Sequence, residues 1–178
     1  MTLRLTVALL SVCAILFAAS AGRAAPPTRD EALKYNQALV ESLKKLNAAG
    51  LAWGQKAHFN DDVTPDAEGL KEAYKNYAKV YGEVESALKV LAIPDAKSAR
   101  DLQKVNQNYI DYQDGFIKKI LKEATDVLTD PKLKDKDKKE KAVGIIQRAE
   151  KEEQNLLTEF TKRQEDFAKE FGIELKKQ

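Results

Sequence analysis

Three prolines, Pro65, Pro94 and Pro131, cut the chain that follows Pro26-Pro27 into four segments of similar length. Proline removes a backbone donor and clashes with the preceding turn, so a helix admits it only in its first turn. Each of the three stands beside a residue able to cap a helix: Thr64, Asp95 and Asp130. Between the prolines the apolar residues recur at steps of three and four, the repeat of an amphipathic helix.

The first segment, about Arg29 to Phe59, opens on Thr28 and Glu31, spaced as a capping box that satisfies the first free N–H groups. Its stripe is Ala32, Asn36, Leu39, Leu43, Leu46, Gly50, Trp53 and Ala57. Gly50 and Gly54, each costing about 1 kcal/mol against alanine, are expected to kink the helix or end it early. Asn60 to Val63 reads as a loop. The second segment starts with Thr64 as N-cap and Pro65 at the first helical position, and its stripe is Leu70, Tyr74, Tyr77, Tyr81, Val84, Leu88 and Leu91. Asp95 is expected to cap the third, which runs from about Ala96 to Leu128. There one stripe (Leu102, Val105, Tyr109, Tyr112, Phe116, Ile120) is widened by another (Ile110, Ile117, Leu121, Ala124, Leu128), a face broad enough for two neighbours. The fourth begins with Lys132 to Lys141, six lysines and three acids around Leu133, which reads as a solvated loop or frayed turn. Its helix is secure from Ala142, along Ala142, Ile146, Ala149, Glu153, Leu156, Phe160, Gln164, Phe167 and Phe171.

No stretch after the leader alternates with period two long enough for a strand, and the segments share periodicity without a common residue pattern, which argues against tandem repeats. Helices of about 30 residues, each about 45 Å long, joined by short connections favour antiparallel neighbours. The expected fold is all-α: an up-down-up-down four-helix bundle with long helices, formed by residues 26–178 as a single domain.

Residues 1–25 read as a cleavable signal peptide. Arg4 precedes an apolar run of 17 residues, Leu5 to Ala21, that ends in Ala19-Ser20-Ala21. Cleavage is expected near 21, or near 25 after Arg23-Ala24-Ala25. An uncleaved anchor and a lipid-modified Cys13 are the competing readings; a lipidation site should close the apolar run, whereas Cys13 lies inside it. The implied location is periplasmic or secreted. Cys13 is the only cysteine, so disulfides play no part in stability.

Arg4 and Arg23 account for the formal charge of +2; from Pro26 onward 28 basic residues balance 28 acidic ones. Phosphate recognition needs a positive excess, so nucleic acid is not an expected partner. Membrane contact is not expected once the leader is removed.

His58, the only histidine, has neither nucleophile nor orienting group nearby in sequence and reads as a surface or capping residue. Gln55 stands where a Glu-x-x-His pair would need glutamate, and C-x-x-C-H is absent. Asp61, Asp62, Asp66 and Glu68 lack EF-hand spacing. Glu153 and Gln164 fall on an otherwise apolar stripe; either the seam drifts and Glu153 points outward, or a polar layer fixes helix register. Trp53, Tyr74, Tyr77, Tyr81, Tyr109 and Tyr112 are the candidates for a ligand or partner groove, their bland alternative being core with hydroxyls at the rim. No catalytic, cofactor or metal site is expected, and the chain does not read as an enzyme. The expectation is an exported binding or structural protein, or alternatively a chaperone-like or small apolar-ligand-binding one. Its partner would be a protein or a small apolar ligand, with oligomeric state open.

Overall fold

The computed structural model describes residues 26–59 and 63–175. The leader with its two cleavage sites, and Asp61 and Asp62, lie outside the described residues. Those described are all helical, with no strand among them: α1 Arg29–Ala57, α2 Ala67–Lys89, α3 Lys97–Gly115, a π-helical turn Phe116–Leu121, α4 Lys122–Leu128, and α5 Asp135–Phe171. The π turn joins α3 to α4 as one rod, so the described residues make four rods.

The capping box forms: Glu31 N donates to the Thr28 hydroxyl and Thr28 N to the Glu31 carboxylate. α1 then runs through both glycines without a break and ends at His58, which caps it with φ 51°. At Gly50 the helix passes close to α2: a Cβ there would touch the Tyr77 ring at 3.4 Å, an ordinary van der Waals contact. The other helix starts differ from the sequence reading. Asp66 caps α2 by accepting from Gly69 N, leaving Thr64 to donate to Asp135 at the start of α5. Asp95 pairs with Arg100 instead of capping, and α3 starts at Ala96 without a side-chain cap. α5 begins at Asp135, seven residues before Ala142. Asp135 and Asp137 suit the positive end of the helix, Lys138 folds back onto Asp135 at 3.3 Å, and Lys139 reaches Val63 O at 2.8 Å.

The third face is already wide on α3, where Asn106 and Ile110 are buried beside Val105 and Tyr109. Buried positions follow Leu102, Val105, Tyr109 and Gln113, then step by four to Ile117 and Leu121. The extra residue of the π turn takes the first stripe out of the buried face, so Phe116 and Ile120 end only half-buried while Ile117 and Leu121 stay buried.

α1 packs closely on α2, and the α3–α4 rod packs closely on α5. α1 and α5 meet at few points, pinned near both ends. At one end Arg29 donates to Gly172 O, Tyr35 packs on Phe167 with ring centroids 5.7 Å apart, and Gln164 donates to Asn36. At the other, the α1–α2 connection is tied to α5 through Thr64–Asp135 and Val63–Lys139. Hence α1 and α5 run antiparallel. Tyr35–Gln103 and Trp53–Thr125 bonds set α1 parallel to the third rod.

Candidate functional site: a groove between the first and last helices

Between those pinned ends α1 and α5 stand apart over a groove of about 2300 Å³. One wall is a second seam on α1, offset by one residue from its core stripe: Leu33, Gln37, Val40, Lys44, Asn47, Leu51, Gly54 and His58. The steps are again four and three, so these residues form one helix face. The opposite wall comes from α5 and the segment after it, through Ile146, Leu157, Thr161, Glu165 and Leu175. Trp53, Tyr77, Tyr109, Phe116, Leu121 and Phe160 reach the floor.

Three of the six sequence candidates therefore meet in the groove: Trp53, Tyr77 and Tyr109. Trp53 is buried, and its indole N–H donates to the Thr125 hydroxyl at 3.0 Å, which donates onward to Leu121 O at 2.7 Å. Tyr74 and Tyr81 sit elsewhere, in a smaller hollow of about 740 Å³ between α2 and α3 with Glu85, Asp111 and Lys118. Tyr112 stacks on Phe116 and donates to Ala149 O of α5.

A polar layer crosses the floor. The Tyr77 hydroxyl donates to Gln113 Oε1 at 3.0 Å, Gln113 Nε2 donates to Glu153 Oε1 at 3.0 Å, and the Tyr109 hydroxyl donates to the same oxygen at 3.3 Å. Glu153 and Gln164 both face inward, so seam drift does not turn Glu153 to solvent. Burial, followed by the Glu153 charge, holds the hydroxyls of Tyr77, Tyr109 and Tyr112 well above the ordinary tyrosine range. Tyr81 is pushed up to about 12 by burial and then by Asp114, Glu85 and Asp111.

His58 occupies the α1 C-cap at the groove's end. Among the described residues no three His, Cys, Asp or Glu side chains are grouped to hold a metal ion, and no helix is long and apolar enough to cross a membrane. No family profile, curated protein or solved structure matches the chain.

Sequence reasoning missed the α1 wall. Its step pattern was available, but Gln37, Lys44 and Asn47 interrupt it, so hydropathy alone marks it as solvent-facing. Tyr35 was missed too; it is buried at 2 % exposure with its hydroxyl on Gln103.

Proposed function

We propose that this chain is an exported, non-enzymatic binding protein, an up-down-up-down four-helix bundle whose α1–α5 groove accepts a helix of a protein partner. The groove carries this reading. Its volume of about 2300 Å³ exceeds the roughly 300–1,000 Å³ of pockets for drug-sized ligands. A helix about 10–12 Å across, rising 1.5 Å per residue, fills roughly 120–170 Å³ per residue, so the space suits roughly 14–20 residues. The α1 wall from Leu33 to His58 is about 38 Å long, enough for such a segment. Mixed apolar and polar walls over an aromatic floor match recognition of an amphipathic helix through anchors at i, i+3, i+4 and i+7.

Trp53, the only tryptophan, reports on the groove directly. A leucine-striped amphipathic peptide of about 20 residues is expected to change Trp53 emission saturably, at one peptide per chain. Leu157→Glu, on the half-buried wall, should weaken binding at least about tenfold while helix content stays unchanged. Titrations without response to the peptide oppose the proposal, as does a dimer of this chain that the peptide does not dissociate. The export half rests on residues 1–25; N-terminal sequencing of the chain from the extracytoplasmic fraction should read from Gly22 or Pro26, and a chain retained inside with Met1 intact would refute it.

A further inference from the structure

We infer that the helix accepted by this groove carries a lysine or arginine within its apolar stripe, and that Glu153 receives it. This rests on the reading of the groove as a helix acceptor and adds the chemistry of the partner.

Glu153 lines the groove at about the middle of α5. Its Oε1 is held by Tyr109 and Gln113, both neutral donors. Its Oε2 makes no hydrogen bond, and the carboxylate forms no ion pair, among the described residues. The site is therefore a carboxylate fixed in position on one oxygen and open on the other, beside the phenol rings of Tyr77 and Tyr109. The charge around it has the same sign. Among the described residues four glutamates line the groove, Glu41, Glu153, Glu165 and Glu174, against Lys44 as the one lysine or arginine.

An occupant that covered Glu153 with leucine alone would strip water from a charge and leave it unpaired, which is costly. A basic side chain at that point replaces the lost water with a charge-assisted hydrogen bond to Oε2. An acidic one adds repulsion. The groove thus discriminates between amphipathic helices of equal hydrophobicity, through a penalty on the wrong partner as much as through attraction to the right one.

The test uses three peptides of about 20 residues with the same leucine stripe, whose central stripe position is lysine, norleucine or glutamate, read by Trp53 emission. Wild type should bind the lysine peptide at least about tenfold tighter than norleucine, with glutamate weakest. Glu153→Gln should abolish the lysine advantage and hold norleucine at least as tightly as wild type does. Equal affinity of lysine and norleucine peptides for wild type overturns this inference while the groove reading stands. A flat Trp53 response to all three overturns both. Should Glu153→Gln fail to fold, acetylating the lysine of the peptide asks the same question of the wild-type chain: an affinity loss of about tenfold supports the inference, and no loss overturns it.

Discussion

Gln113 is the hinge of the polar layer, and replacing it tests whether that layer is formed. Its side chain is fully buried, accepting from Tyr77 and donating to Glu153, both at 3.0 Å. Gln113→Leu leaves the buried Tyr77 hydroxyl without an acceptor, at a cost of about 1–3 kcal/mol, and removes a hydrogen bond to a charged group worth about 1.5–3 kcal/mol. Glu153 is half-buried, so the lower end of the second figure applies. The new leucine returns roughly 1.5–3 kcal/mol by burial. The net expectation is a loss of about 1–2 kcal/mol. Adding Tyr77→Phe, Tyr109→Phe and Glu153→Leu removes the stranded partners as well, and the quadruple variant should recover to within about 1 kcal/mol of wild type, since an apolar substitute for a whole buried polar set is often neutral. Urea unfolding followed by circular dichroism measures both, provided the slope is unchanged. A single variant as stable as wild type would refute the reasoning, as would a quadruple variant less stable than the single one.

Other consequences are independent of the groove's occupant. Asn106 is 1 % exposed and neither its Nδ2 nor its Oδ1 has a partner among the described residues, so Asn106→Leu should stabilise the fold by about 1–3 kcal/mol in the same urea assay. A Cβ at Gly54 meets nothing within 4 Å, so Gly54→Ala should raise stability by about 1 kcal/mol, and Gly50→Ala by less because of Tyr77. Alkaline titration should show a linked unfolding. Below about pH 10 both folded and unfolded chains keep their phenol protons; above it the unfolded chain releases them first, so stability falls as pH rises toward the higher folded values. Tyrosinate absorbance should therefore report Tyr81 near 12, with Tyr35, Tyr77 and Tyr109 ionising only as helical dichroism is lost.

The helical segments were legible because the prolines and the three-four steps speak through backbone sterics and burial, which act locally. The α1 stripe from Ala32 to Ala57 is the clearest instance. What was not legible depends on tertiary context. Asp66 replaces Thr64 as the α2 cap because Thr64 is engaged by Asp135, 71 positions away. The lysine-rich start of α5 is helical although it has little apolar face, because Lys139 and Asp135 are tied to the α1–α2 connection. The π turn has no local signature; two stripes on one segment were its only trace. For the site, Trp53, Tyr77 and Tyr109 line one groove, whereas Tyr74 and Tyr81, aromatic residues on a stripe of the same kind, line another hollow. Those two sit seven residues apart on one face of α2, whereas Tyr77 lies between them and turns toward α1 and Gln113. The groove itself is a place where two helices fail to close, and no single helix's sequence encodes a separation.

Methyl NMR on the chain titrated with the leucine-striped peptide tests the central claim most directly. Leu33, Val40, Leu51, Ile146 and Leu157 line the groove, while Val90 and Ile93, 84 % and 44 % exposed, lie at the α2–α3 turn and serve as apolar controls outside it. The account predicts saturable shifts at the five groove residues with Val90 and Ile93 unmoved. Shifts centred on Val90 and Ile93, or spread evenly over all seven, would contradict it.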